Sequence, residues 1–424
     1  MTPEIEQRIE QIRRGEVPEG YEKKRTVVIP QQWRLPQIKD IASISSGSTP
    51  NRNNSEYWNG NIPWVTTGEL SSGHVNHTSE LITVKAVKEA KMRIYPQGTL
   101  LMAMYGQGKT RGTVAILEID AAVNQACAAI TVKDGKSKFL FYQLKNSYQD
   151  IRKLSNTGNQ ENLNADIIKT YQVPWAPDEE QERISTILTT QDRVIELKEK
   201  RLAEKQRQKK YLMQQLLTGK KRLPGFSGEW KNIKLCEVLS ERKEKNVEQN
   251  LRICSVAVLK GVVDQVEHLG RSYAANDTSN YSVAHYGDII YTKSPTGDFL
   301  YGIVKQNLLQ ETVAVSPLYG VFTPLTFGLG YFLHTYFQSA ICARNYLVPI
   351  VQKGAKNTIN ITNDTFISSK LYLPLDVEEQ KAIADTFIAA DREIELLRQD
   401  IRQEKQKKKA LMQLLLTGVV RVTI

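Results

Sequence analysis

Apolar residues recur in alternating steps of four and three along two long stretches of the chain. In the C-terminal stretch the seam runs Ile383, Phe387, Ala390, Ile394, Leu397, Ile401, Glu404, Lys408, Leu411, Leu415, with eight of ten positions apolar. In the central stretch it runs Ile184, Leu188, Gln191, Ile195, Lys198, Leu202, Lys205, Lys209, Leu212, Leu216, with six of ten. That spacing belongs to a helix presenting one face. Neither stretch contains Gly or Pro before Gly219 and Gly418, which are well placed as C-terminal stops. Each stretch therefore predicts a helix of about 40 residues, roughly 60 Å long. The polar breaks in both seams suit two helices packed on each other, since a lone helix of this length is marginal in water.

The two stretches are also one text written twice. Residues 178–222 align without a gap on 377–421, and 19 of the 45 paired positions are identical. Shared anchors are Glu179-Glu180-Gln181 with Glu378-Glu379-Gln380, Asp192-Arg193 with Asp391-Arg392, and the Leu-Leu-Thr-Gly endings at Gly219 and Gly418. An offset of 199 residues is far beyond a solenoid period of about 20 to 50. It implies two copies of one module, each a variable globular part followed by a shared helix. A two-fold relation between modules predicts an antiparallel helix pair.

Ahead of each helix lies a Pro-marked extended segment, Val173 to Pro177 and Leu373 to Leu375. The globular parts are rich in β-branched and aromatic residues with frequent Gly and Asn. Thr113 to Ile119, Asp288 to Thr292 and Thr312 to Val315 predict strands, and Leu140 to Leu154 and Leu329 to Tyr346 predict short helices. The globular parts repeat faintly as well. Trp33 to Ile41 matches Trp230 to Val238, and Asn162-Leu163 with Asp166 matches Asn360-Ile361 with Asp364. Glu4 to Arg14 predicts an amphipathic helix that supplies the helix end the first globular part would otherwise lack. The expected fold class is α+β: two globular domains of mostly antiparallel sheet with short helices, joined by two long antiparallel coiled-coil helices in a pseudo-two-fold arrangement. Expected boundaries are 1–28 for an N-terminal arm, 29–175 and 223–372 for the globular domains, and 176–222 and 373–424 for the helical regions.

Charge changes this picture only locally. The chain carries a net +11, and the stretches 196–222 and 395–421 hold +7 and +4 of it, so the remainder is neutral on balance. A solvated helix face accounts for such runs as readily as a nucleic-acid footprint does. DNA binding would then depend on locally placed polar and basic groups. Cys127, Cys236, Cys254 and Cys342 are scattered and read as buried reduced thiols, with no zinc spacing. No apolar run approaches the length that spans a bilayer, and the N-terminus has no signal-peptide pattern. The expected location is the cytoplasm.

Candidate chemistry is sparse. Ala103 to Thr110 fits a loose P-loop pattern, but Arg111-Gly112-Thr113-Val114 follows it where a helix would be needed to hold phosphates. His74 and His77 lie among small polar residues and read as a surface loop; no metal site is expected. No catalytic grouping is evident. Tyr105, Gln107, Lys109, Thr110 and Arg111 form a polar, Gly-flexed loop suited to DNA contact, or a plain hairpin turn. Asn156, Thr157, Asn159 and Gln160 in the first domain, and Lys353, Lys356 and Asn357 in the second, occupy equivalent loops with side chains suited to phosphates and base edges. Turns capping strands would look the same. Arg52 and Asn53, then Lys293, Ser294 and Thr296, are weaker candidates of the same kind.

Together these residues resemble the specificity (S) subunits of type I restriction–modification systems. The resemblance is carried by Trp33 and Trp230, Gly47 to Pro50, Gly98 to Gly106, Asn124-Gln125-Ala126, Asn162-Leu163, the Pro-rich exits into Glu-Glu-Gln, and the Leu-Leu-Thr-Gly endings. It implies two target-recognition domains, each reading half of a bipartite site on double-stranded DNA, with the helices as a ruler. It also implies two methyltransferase (M) subunits docked on the helices and restriction (R) subunits recruited for ATP-dependent cleavage. The S subunit itself would hold no cofactor: S-adenosylmethionine would bind the M subunits, and ATP and Mg the R subunits. The second domain departs from the pattern, with no match to Gly47–Pro50 and with Glu311-Thr312-Val313 in place of Asn124-Gln125-Ala126. The alternatives are a coiled-coil scaffold without DNA specificity and a P-loop enzyme.

Overall fold

The structure, a computed structural model, describes residues 2–422 except 107, 155–161, 272, 273, 275 and 354–358; residues 352, 353, 359 and 360 are described by backbone alone. The chain divides into two compact units, residues 1–198 with 400–424, and residues 199–399. The division falls inside both long helices, Asp178–Leu216 and Val377–Leu415, each of 39 residues. Acidic first turns (Asp178, Glu179 and Glu180; Glu378 and Glu379) complement the helix dipoles. Both helices stop at a left-handed glycine, Gly219 at φ 69° and Gly418 at φ 73°.

In the first unit a five-stranded sheet has the order Ala42–Ser46, Cys127–Val132, Leu100–Ala103, Val114–Leu117, His74–Val75. Its pairings are antiparallel except at the last strand. Leu100–Ala103 and Val114–Leu117 are buried throughout, so both faces must be covered. Alternation divides them: Leu100, Met102, Val114 and Ile116 join the core beneath the helices, while Leu101, Ala103, Ala115 and Leu117 join a second core on the other face. A three-stranded sheet of Glu80–Ile82, Trp58–Val65 and Ala122–Val123 lies in the same unit.

The second unit holds two four-stranded sheets. One has the order Leu239–Glu241, Gly320–Pro324, Ile289–Tyr291, Val304–Gln306, all antiparallel. The other runs Gly261–Asp264, Ile253–Ala257, Val313–Val315, Ser282–Ala284, with one parallel pair. The architecture is the expected α+β class. The three expected strands are shorter by one or two residues at one or both ends: Val114–Leu117, Ile289–Tyr291 and Val313–Val315. The two short helices are each two: Ser137–Asn146 with Tyr148–Lys153, and Phe327–Tyr336 with Ala340–Leu347. In the second case the Ser339 side chain accepts the Cys342 N–H and restarts the helix. Cys127 and Cys254 are buried as expected, but Cys236 is exposed and Cys342 half-buried.

Within each unit the two long helices run antiparallel, and each core is completed by the far end of the other repeat's helix. In the first unit Ile184 and Leu188 pack with Trp33, Phe139 and Trp175, and Met412, Leu415 and Leu416 close the same core. In the second, Ile383 and Phe387 pack with Trp230 and Phe332, and Leu216 and Leu217 close it. The N-terminal helix is Pro3–Arg13, and the arm does not supply a missing helix end. It clasps one: Arg8 Nη1 donates to the Val419 carbonyl at 2.9 Å and the Tyr21 hydroxyl to the Gly418 carbonyl at 2.7 Å. The helix end came from the chain's other terminus, a contact of high sequence separation that local pattern cannot reveal.

Candidate nucleic-acid interface

The repeated anchors prove to be docks between sheet domain and helix. Glu180 accepts the Trp33 indole N–H at 2.9 Å and a two-pronged bond from Arg421 at 2.8 and 2.9 Å. Glu379 does the same for the Trp230 indole N–H, at 3.1 Å, and for Arg222. Both carboxylates are buried, so each needs its charge and its lone pairs matched. About three turns further along each helix, Asp192 accepts from the Tyr142 hydroxyl at 2.8 Å and from Lys408, and Asp391 from the Tyr331 hydroxyl at 3.0 Å and from Lys209 at 2.5 Å. Burial and the neighbouring carboxylate push both tyrosines far above their usual range. Gln181 and Gln380 donate to the carbonyls of Ala176 and Pro374, pinning the Pro-marked exits. Glu-Glu-Gln, Asp and the terminal Arg recur because the same joint is built twice.

The stretches that carried the resemblance converge at one end of the five-stranded sheet. Ser48 N–H donates to the Val123 carbonyl at 2.8 Å, and the Thr49 and Gln125 side chains meet. Met104 N–H donates to Ala126, and Leu163 N–H to Met104, at 2.8 and 3.0 Å. A Cβ on Gly47 would stand 2.0 Å from the Val123 carbonyl oxygen, so only glycine allows this approach. Four separated motifs thus hold up one rim.

From that rim projects the loop after Met104. Tyr105 and Lys109 are exposed and Thr110 half-buried, so the structure brings these three candidates together. The loop is braced from behind: the Tyr148 hydroxyl donates to the Lys109 carbonyl at 2.7 Å, and Arg152 to the Arg111 and Gly108 carbonyls at 2.7 and 2.9 Å. Arg111 is only 6% exposed and drops out as a surface contact. The Gly112 N–H already bonds Ala103, so the chain has re-entered the sheet by that point. The strand Val114–Leu117, not a helix, follows Lys109 and Thr110, which removes the phosphate-cradling geometry of a P-loop. His74 lies in a two-residue strand, with Nδ1 at 2.8 Å from Glu118.

Arg52 and Asn53 lie in a separate loop. The Arg52 guanidinium sits 4.2 Å from the Trp58 ring centre and 4.9 Å from Trp64, and pairs with Glu80. That pairing raises the pKa of Arg52 and lowers that of Glu80. Sequence reasoning missed this aromatic seat. No strand period carried the signal: six regular strand residues span about 20 Å, and the two rings meet at 5.3 Å because the strand bulges between Trp58 and Ile62, which both lie opposite Ile82. The indoles also donate to the Asn51 and Ser48 carbonyls, at 3.3 and 3.1 Å, tying the loop down.

In the second unit, Lys293 to Phe299 forms a short hairpin in which Thr296 and Phe299 exchange backbone bonds at 3.0 Å. Ser294 and Thr296 are exposed on it. Lys293, at φ 54°, is half-buried, and burial lowers its pKa against the pull of Glu241. Gln107, Asn156, Thr157, Asn159, Gln160, Lys356 and Asn357 lie outside the described residues. Lys353 is described by backbone alone, in a two-residue strand paired with Ile359–Asn360. No helix among the described residues is long and apolar enough to cross a membrane.

Comparison with known proteins is consistent across sequence and structure. A family model described as "Type I restriction modification DNA specificity domain" matches residues 30–206 and again residues 229–405. The MjaIX type I restriction enzyme specificity subunit of Methanocaldococcus jannaschii is 35% identical over 178 residues, 41% of this chain and 40% of that protein. The MjaVIII specificity subunit of the same organism is 23% identical over 438 residues, 95% of this chain and 96% of that protein. Among solved structures, the S subunit of a type I system from M. genitalium superposes with a TM-score of 0.59 at 11% identity, covering 93% of this chain and 98% of that one. A chain from a study of assembly and conformational transition in a type I system gives 0.54 at 14% identity, covering 92% and 99%. At such identities the structural likeness speaks for the fold, and the family rests on the twofold sequence match. The chain belongs to the type I restriction–modification DNA specificity family, whose domain it carries twice.

Proposed function

We propose that this chain is the non-catalytic DNA-recognition subunit of a cytoplasmic type I restriction–modification complex. Its two globular domains, residues 29–175 and 223–372, would each read one half of a bipartite target. The observation that carries the reading is the pairing of a duplicated joint with unlike surface loops. The Trp–Glu–Arg and Tyr–Asp–Lys contacts recur residue for residue, whereas the rim loops share almost nothing. One mount bearing two different readers suits a target of two unlike halves. Tyr105, Lys109 and Thr110 on the first unit's rim, and Ser294 and Thr296 on the hairpin of the second with Lys293 at its edge, would be the described side chains that meet DNA. Arg52 and Asn53 would meet the phosphate backbone from the loop seated over Trp58 and the buried Trp64. Asn156, Thr157, Asn159, Gln160, Lys353, Lys356 and Asn357 remain candidates on sequence grounds.

The helices would set the gap between half-sites and carry two M subunits, which supply S-adenosylmethionine-dependent adenine methylation. R subunits would add ATP- and Mg-dependent cleavage. The test is a methylome: co-expression with the cognate M subunit in a methylation-free host, followed by mapping of every modified adenine. A single motif of two short halves around a fixed gap is expected. A contiguous motif, or none, would refute the two-reader arrangement.

A further inference from the structure

The second unit contains a pocket of about 550 Å³ beside the Tyr331–Asp391–Lys209 joint. That volume lies within the range that takes small organic ligands. Its charge is not balanced. Lys209 is tied to Asp391 at 2.5 Å and Arg398 faces Glu395 at 3.6 Å, which leaves Lys210, Lys260 and Lys305. Lys210 and Lys260 are exposed. Lys305 is only 4% exposed, and among the described residues its ammonium has neither hydrogen bond nor ion pair. Burial, with Lys209 nearby, pulls its pKa down to about 8, against the opposing pull of Asp391. A lysine so placed disfavours folding, and the fold does not require it: at the matching ladder position the first unit carries Ala115.

A further polar group of the pocket suits an anion. His334, also a wall residue, accepts the Gln306 N–H at Nδ1 (3.0 Å), so the buried neutral ring carries its proton on Nε2 and is a donor there. A phosphate monoester, mostly dianionic at neutral pH, brings more charge and more acceptor oxygens to this set of donors than a carboxylate does. Leu259 and Leu308 form an apolar lip, exposed by 87% and 40%.

We propose that this pocket binds a small phosphate-bearing ligand, with Lys305, Lys210 and Lys260 meeting the phosphate and the leucine lip covering its apolar part. A duplex backbone is the weaker fit, because a convex rod does not reach a lysine buried this deeply. Binding would fall directly on the joint that fastens the second domain to its helices, and would stiffen it.

The test uses the full-length chain at matched ionic strength, with inorganic phosphate, AMP and adenosine as probes, read by thermal unfolding and calorimetric titration. Phosphate and AMP are expected to raise the unfolding temperature and adenosine to leave it unchanged. Lys305→Met should weaken AMP binding by about 10-fold or more, the scale of a lost charge-assisted contact. Lys260→Ser, a surface change that leaves folding intact, should weaken it less. The proposal is overturned if folded wild-type protein shows no response at about 10 mM of either anion, a concentration that would reveal even millimolar binding. It is equally overturned if Lys305→Met binds as wild type does, or if a short DNA duplex competes with AMP for the pocket and itself loses affinity in Lys305→Met.

Discussion

If the Trp–Glu–Arg contacts are the joints of the molecule, removing one carboxylate must loosen one unit and spare the other. Glu379 is the sharper case, since its side chain is 1% exposed and its partner Arg222 is 25% exposed. In Glu379→Ala the Trp230 indole N–H loses its acceptor in a buried position, a loss worth about 1–3 kcal/mol. Deleting one member of a buried pair costs about 3–5 kcal/mol when the survivor stays dry, but Arg222 partly rehydrates. The expected total is therefore about 3 kcal/mol. Glu379→Gln keeps an acceptor for Trp230 and should cost about half as much. A double-mutant cycle of Glu379→Ala with Arg222→Ala should give a coupling of about 1–3 kcal/mol. The assay is urea unfolding combined with hydrogen exchange on the strand pair Trp230–Lys234 and Lys370–Pro374, which this joint anchors. Protection there should fall while that of Cys127–Val132 stays. A coupling below about 0.5 kcal/mol, within the range of additive sites, or a loss of protection in the first unit, would refute the reasoning.

Lys305→Met should raise stability at pH 7. The lysine has a folded pKa near 8 against an ordinary value of 10.5, so between these the unfolded chain holds more protons and wild-type stability climbs with pH. The climb is of order 3 kcal/mol, and pH-dependent unfolding of the variant should lack it. Gly47→Ala is expected to disrupt the first domain, because a Cβ there would overlap the Val123 carbonyl; loss of tertiary signal should appear in near-ultraviolet dichroism of the purified variant. Four residues inserted within one long helix add about 6 Å, and methylome mapping should show the unspecified gap between half-sites widened by one to two base pairs at about 3.4 Å each. An unchanged gap would remove the ruler.

The helices were legible because their signal is long and doubled: alternating four-and-three spacing, no internal Gly or Pro, and a second copy to confirm each anchor. The Leu329 to Tyr346 segment was less so, since Ser339 breaks and restarts it through a single side-chain cap that composition does not distinguish from helix interior. The candidate loops were found as polar, glycine-rich text, but text does not carry depth. Arg111 reads like nearby Lys109, yet Lys109 faces solvent and Arg111 is buried. The roles of Glu180 and Glu379 were hidden for another reason. Their partners Arg421 and Arg222 lie 241 and 157 positions away, so the repeat announced their importance without saying what they hold.

The exchange of helix ends has a consequence for the order in which the molecule is made. The first core closes on Met412, Leu415 and Leu416, which follow Leu188 by more than 220 residues. At about 5–20 residues per second, synthesis leaves that core open for some 10 to 45 seconds after the rest of it exists. The second core waits for nothing of the kind, because Leu216 and Leu217 precede the domain they complete. The earlier domain is therefore sealed after the later one, and until residues 412–416 leave the ribosome a nascent chain carries one unsealed apolar trough for chaperones or proteases to find.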